Sequence, residues 1–392
     1  MNTAGETTKK AIVWLCLAHL VCDIYSGFLN PIMPFIASKL GFSMALATVI
    51  ISISHICSSL LQPIFGFFAD NILKRFFIFW GLILGSIFIP LTPNAPNVYV
   101  LLIFMILGSL GNSFFHPQSI GFVNYFSSDK DCSDNMGIFM SLGSLGFAFG
   151  PLLAALITQV LGLGMISHTS IWGLLLAAAM FKCIPKLSAE GTIPHHKEFF
   201  KSFREIFTNS QMNFLMVVSM MKSLITNSTC ILLPFLWKDM GYQPFYIGFA
   251  LFLFVFAGAI GSLISPRLEK IFGSKTVIYI SLLATFPMMI LFALSYKTHP
   301  VFSTFIYFLM GFTTMLAQPV VMVWAQKTLP EYKSIVAGFI NGFCWGIVAL
   351  CVSVLGTIAQ KFGIINVLVV ISLLPVISSY IVRFLKEENC SE

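Results

Sequence analysis

Five ionisable side chains lie deep within the apolar stretches of this 392-residue chain: His19, Asp23, His55, His116 and Lys222. A charge at the centre of a bilayer costs roughly 2.5–3.5 kcal/mol even on lenient insertion scales, so such groups persist where they serve a pathway or a pairing. Asp23 is the most deeply set acid, and a carboxylate that alternately faces two solutions can carry one proton per cycle. His19 stands one helical turn before it and could relay that proton or hydrogen-bond the carboxylate. His116 precedes Pro117 on a stretch rich in Gly and Asn, a place suited to a cavity. Lys222 could receive an anionic group or interact with Asp23. Each has a plainer reading: a permanent ion pair for Asp23 and Lys222, a packed neutral ring for His19, and for His55 a ring that satisfies a neighbouring Ser.

These residues need hydrocarbon-spanning elements to position them. The chain is 57% hydrophobic and 9% charged. A helix crosses a bilayer with ~20 apolar residues. Apolar runs bounded by charge, Pro or Gly give twelve predicted spans, near 11–37, 43–69, 76–92, 97–125, 135–163, 165–184, 210–237, 244–268, 275–296, 300–326, 332–361 and 364–385. With the N-terminus inside, seventeen of the 22 Lys and Arg fall on the inner side, four on the outer, and Lys222 within a span. That split follows the positive-inside rule, and shifting the topology by one helix inverts it. The net charge of +7 therefore reports orientation rather than a nucleic-acid partner.

Residues 1–10 are polar and the first apolar run is too long for a signal-peptide core, so no cleavable signal is expected. Nine scattered Cys without a CxxC pair argue against a disulfide framework or a zinc site, and Cys16 and Cys22 read as small packing residues. No cofactor and no metal is expected.

One long polar connection, residues 185–209, separates an N-terminal six-helix half (1–184) from a C-terminal one (210–392). Within it, Lys197 to Phe207 reads either as a helix lying in the inner membrane interface or as a simple linker. Polarity is uneven. Spans three, six, nine and twelve are almost purely apolar. Stripes at helical spacing mark span one (His19, Asp23, Ser26, Asn30), span two (Ser52, His55, Ser59, Gln62), span four (Ser109, Asn112, His116, Ser119) and span seven (Ser219, Lys222, Ser223, Thr226). Such faces must point into protein or a wet cavity. Lys222, His55, Asn112, Gln118 and Gln318 are the candidates for substrate contact. Gly137, Gly143, Gly146, Gly150 and Pro151 form a small-residue face for close helix packing, echoed by Gly338, Gly342 and Gly346. Asp70, Lys74 and Arg75, between spans two and three, read as a latch that breaks and remakes contacts. A fainter copy runs from Ser265 through Arg267, Glu269, Lys270 and Gly273 to Lys275.

At these residues the chain resembles the major facilitator superfamily. Gly66-x-x-x-Asp70-x-x-x-Lys74-Arg75 is similar to that superfamily's loop motif, with Asn71 where Arg is usual and Leu73 where Gly is usual. Gly137-x8-Gly146-x3-Gly150-Pro151 resembles the helix-five motif of its drug/proton antiporters, with Ala154-Ala155 in place of the closing Gly pair. His19-Leu-Val-Cys-Asp23, Ser58-Ser-Leu-Leu-Gln-Pro-Ile-Phe-Gly66, Gly108-Ser-Leu-Gly-Asn-Ser-Phe-Phe-His116-Pro117 and Gly150-Pro-Leu-Leu-Ala-Ala155 look like the fosmidomycin-resistance proteins. Relatives tend to carry an acid after the His-Pro of helix four. Here Gln118 stands there, which removes that carboxylate from any coupling scheme and leaves Asp23.

The resemblance implies an all-α integral membrane protein of the major facilitator fold, twelve transmembrane helices in two six-helix halves. It implies proton-coupled efflux of a small amphiphilic or anionic compound by alternating access. The expected partners are that small molecule, protons and the lipid bilayer. The expected setting is a bacterial inner membrane, as a monomer with both termini cytoplasmic. Uptake of a metabolite or siderophore-type compound would use the same machinery. An intramembrane enzyme built on His19, Asp23 and His116 is the competing class. Against it stand the two halves, the motif at 66–75, and the lack of a nucleophile or metal signature. A metal-ion channel would need more membrane acids than the chain has.

Overall fold

In hydrocarbon, backbone polar groups must be satisfied within their own segment, and apolar runs of this length therefore become helices. A computed structural model describes residues 2–62, 64–65, 76–128, 131–184 and 196–386, and among them no strand occurs. The first half comprises α1 (Asn2–Leu40), α2 (Met44–Ser59), α3 (Phe76–Leu91), α4 (Val98–Phe126), α5 (Cys132–Val160) and α6 (Ser170–Cys183). The connection carries α7 (His196–Thr208). The second half comprises α8 (Ser210–Asp239), α9 (Pro244–Phe272) and α10 (Ser274–Ser295). Its tenth span is α11 (Pro300–Leu316) with α12 (Gln318–Thr328). Its eleventh is α13 (Lys333–Gly338), a π-helical turn (Phe339–Phe343) and α14 (Cys344–Phe362), and its twelfth is α15 (Ile364–Ile371) with α16 (Leu373–Val382).

Among the described residues, eleven helical stretches are long and apolar enough to cross a membrane. The second predicted span is represented by the shorter α2, 16 residues long. Asp70, Lys74 and Arg75, beyond it, lie outside the described residues. The chain's punctuation is local. Ser43 caps α2 by accepting from the Leu46 N–H at 3.2 Å, and Asn97 caps α4 by accepting from Tyr99 and Val100. Gly41, Gly162, Gly241 and Gly363 take φ of 72°, 98°, 82° and 90°, the left-handed region where a Cβ would be strained. They fall in pairs 200 and 201 residues apart, 41 with 241 and 162 with 363. Prolines within helices pair likewise, Pro34 with Pro234. The halves are thus a structural repeat at an offset near 200, sharper than their sequence echo.

Two compact units follow from the contacts: Met1–Ile193 with Trp237–Phe252, and Pro194–Leu236 with Leu253–Glu392. In the first, the small-residue face of α5 lies along α1. A Cβ at Gly146 would strike the Leu20 carbonyl, and one at Gly150 the Ile24 carbonyl and Gly27. On the far side of the same segment, Gly248 of α9 packs on Pro151 and Ala155. The Phe245 N–H donates to Gln159 at 2.9 Å. Gly137 meets nothing within 4 Å, nor does Gly338 in the second half. The expectation that Gly137 permits close packing is therefore corrected: contact begins one turn and a half later, at Gly143. In the second unit α7 settles the linker question as a helix. Ile206 is fully buried, and the Phe203 and Phe207 rings lie 4.6 and 5.6 Å from the Phe339 ring in the π turn. Burial tracks polarity at the extremes. In α8, which carries the Lys222 stripe, 78% of the apolar stretch is buried, against 28% in the span that ends with α6.

Candidate functional site

The stripe on α1 meets α4 and α5 around Asp23. His19 is buried; its Nδ1 donates to the Phe139 carbonyl of α5 at 2.8 Å, and its ring stacks on the Phe139 ring at 4.0 Å. Its Nε2 lies 3.2 Å from Asp23 Oδ2. From α4, His116 Nε2 lies 3.4 Å from the other carboxylate oxygen, Oδ1. The two imidazoles meet edge to face at 5.1 Å. One carboxylate thus bridges two imidazoles on two helices. The polar atoms of the three lie within 4.8 Å of one another, a spacing that a shared proton or a cation can bridge.

Asn112, one turn before His116, ties α4 to α1 on both sides of Asp23. Its Oδ1 accepts from the Cys22 thiol at 3.2 Å and its Nδ2 donates to Ser26 at 2.8 Å. Cys22 is therefore a hydrogen-bonding member of the site, a correction to its reading as a packing residue. Tyr25 fixes the opposite face of α1. Its hydroxyl donates to the Thr169 carbonyl at 2.7 Å and accepts from the Gly173 N–H at 3.1 Å, at the start of α6. Sequence reasoning missed Tyr25 and Phe139. Tyr25 looked like one aromatic among many, and Phe139 contributes a backbone carbonyl, which no side-chain pattern reveals.

Not every candidate joins the group. Among the described residues the His55 ring takes no hydrogen bond; α2 instead contacts α4 through the Ser54–Ser109 hydroxyls, and the Ser113 hydroxyl donates to the Cys57 carbonyl. Gln118 turns to α3, where its Oε1 accepts the Ile78 N–H at 2.8 Å. That N–H belongs to the first turn of α3 and among the described residues has no partner within its own helix, so Gln118 caps α3.

The second unit holds Lys222 and Gln318. Lys222 is 1% exposed, and its Nζ lies 3.9 Å from the Met315 thioether sulfur. Among the described residues no carboxylate lies within 4.0 Å of it. Gln318 Nε2 donates to Asn341 in the π turn at 2.9 Å, while its buried Oε1 and the Ser223 hydroxyl have no partner among the described residues. Such ungratified polar atoms cost free energy in a low dielectric and mark where a polar ligand would be stabilised.

Apolar helices of spanning length with a few buried polar side chains define a helical membrane protein. The chain belongs to the Major Facilitator Superfamily, whose sequence profile matches residues 15–353. Membership makes it a multi-pass integral membrane protein that binds a small-molecule substrate and is not an enzyme. It is similar to the fosmidomycin resistance protein of Escherichia coli (strain K12), 26% identical over 392 residues, covering 96% of this chain and 93% of that one. It is also similar to the MFS-type transporter YfnC of Bacillus subtilis (strain 168), 24% identical over 381 residues, with 95% and 92% covered. The crystal structure of the nucleoside transporter NupG shares the fold, with a TM-score of 0.78 at 15% identity, over 96% of this chain and all of that one. The expected twelve-helix major facilitator fold is thereby confirmed.

Proposed function

We propose that this transporter is a proton-coupled antiporter that exports a small amphiphilic or anionic compound by alternating access. The observation that carries the reading is the contact of Asp23 with both His19 and His116 inside a transmembrane unit. A carboxylate between two imidazoles can take up, share and release a proton without leaving a bare charge in hydrocarbon. Lys222 takes the anionic part of the substrate, since a buried ammonium beside a thioether gains most from a ligand that brings a negative charge. Gln318 and Asn341 supply neighbouring hydrogen-bonding groups. The helix-five glycine motif and the similarity to the fosmidomycin resistance protein support export. The Lys and Arg distribution and the bacterial relatives support a bacterial inner membrane with both termini cytoplasmic. Asp70, Lys74 and Arg75 act as the latch of the conformational change, away from substrate.

The test is the purified protein in vesicles with an imposed pH gradient and a pH-reporting dye inside. A transported compound should dissipate the gradient through the protein, and a protonophore should abolish its accumulation. Accumulation that survives the protonophore would overturn proton coupling.

A further inference from the structure

We infer that α5 is the positioning element of the proton site: the Phe139 carbonyl fixes the tautomer of His19, and Gly143 gives the ring its room, so that the His19–Asp23 contact holds a proton. This rests on the proton-coupled reading above and adds to it where the proton sits and which helix controls it.

A carbonyl oxygen accepts and never donates, so the 2.8 Å contact to Phe139 places the hydrogen on His19 Nδ1. In a neutral imidazole, Nε2 is then a bare lone pair. That lone pair faces Asp23 Oδ2 at 3.2 Å, where an ionised carboxylate also offers only lone pairs. The contact is a hydrogen bond when one further proton lies between the two, on Nε2 or on the carboxyl. His116 carries no such constraint. Its Nε2–H can donate to Oδ1 while the ring stays neutral. With the one extra proton the three groups sum to zero charge, the state a buried site favours; without it they carry a net charge of −1 and the His19–Asp23 contact must open. The titratable groups facing Asp23 are His19 and Cys22 on α1 and His116 on α4, with the Asn112 amide beside them. Among the described residues, α5 faces this point with Phe139 and Gly143 and with no titratable side chain.

The hold of α5 is built into the helix pair. A Cβ at Gly143 would land on the His19 ring, and Gly146 and Gly150, one and two turns further along α5, press on the Leu20 and Ile24 carbonyls of α1. The second half repeats the contact: the Ser219 hydroxyl of α8 donates to the Ile340 carbonyl in the π turn at 3.4 Å, 200 residues after His19 and 201 after Phe139. A serine satisfies that carbonyl with no consequence for protonation. The histidine in the first half turns the same frame contact into a tautomer lock. Any state in which α1 and α5 part at Gly143 frees Nδ1 and ends the requirement for the proton.

The experiment uses the full-length protein with 15N-labelled histidine, read by solid-state NMR in lipid, alongside the pH profile of substrate-driven proton flux in vesicles. Wild type should show His19 protonated at Nδ1. Gly143→Ala removes no titratable group but displaces the His19 ring, and should lose that signature and move the pH midpoint of flux by about one unit, a tenfold change in proton affinity. His19→Gln places an amide donor toward Asp23 that needs no proton, and should flatten the profile while substrate binding in detergent persists. The inference is overturned if wild-type His19 carries its hydrogen on Nε2 alone, or if Gly143→Ala and His19→Gln keep the wild-type profile. A wild type that moves no protons with substrate overturns the antiport reading instead, and the NMR tautomer still decides the role of Phe139. If Gly143→Ala does not fold, the wild-type spectrum and His19→Gln decide.

Discussion

In the first unit, Asp23 lies between two imidazoles, with Asn112 tying together the helices around it; in the second, Lys222 lies against the Met315 thioether with no carboxylate within 4.0 Å among the described residues. The two sit on one repeated frame. At the offset near 200 set by the paired glycines, His19 corresponds to Ser219, Asp23 to Ser223, and Phe139 to Ile340. Pro117 and Pro319 align at 202, which places His116 opposite Gln318. Lys222 falls opposite Cys22. The frame contact from span to carbonyl is kept in both halves, while the charged residues are not. The difference supports the proposed division of labour. A unit that answers its charge internally is suited to a proton, and one that leaves its cation unanswered is suited to a ligand from outside.

The comparison breaks most visibly at Lys222. Lys222→Ala should weaken binding of an anionic substrate by about 30-fold or more, since truncating one partner of a buried charge pair costs about 2–5 kcal/mol. Calorimetry on the purified protein reads this, and a neutral analogue should bind both proteins alike. Unchanged affinity for the anion would remove Lys222 from the binding site. Next comes His116→Gln, which gives the first unit the residue of the second. Proton flux should fall roughly 10-fold, less than the 10²–10⁴-fold effect of a positioned acid–base group because His19 still contacts Asp23, with binding preserved. Gly146→Ala should lower thermal stability by about 1–3 kcal/mol, because the added methyl meets the Leu20 backbone rather than a movable side chain. Gly137→Ala, with open space around it, should be close to neutral in the same melt. Asn112→Ala should cost about 1 kcal/mol, from two hydrogen bonds inside a membrane protein, read as a slight fall in melting temperature.

Much of this was legible in the sequence, and for physical reasons. Hydrocarbon length and the Lys and Arg asymmetry define spans without reference to packing. The i, i+4 spacing of His19 and Asp23 put them on one face, and the stripe on span four held His116 and Asn112 at the same period. Hidden features depended on backbone or on partner choice. The Phe139 carbonyl has no side-chain signature. Gln118 looked like a cavity residue because a buried amide has no preferred partner until the helix end beside it is placed. Gly137 fitted a motif, but its space is open. Cys22 read as apolar because a thiol's weak donation matters once an acceptor such as Asn112 is fixed opposite it.

The central claim is that Asp23 carries the transported proton, and a single paired measurement tests it most directly. Asp23→Asn in vesicles should abolish substrate movement driven by a pH gradient while leaving substrate counterflow, which needs no net proton transfer, near the wild-type rate. Gradient-driven accumulation or expulsion by Asp23→Asn at wild-type levels would contradict the account.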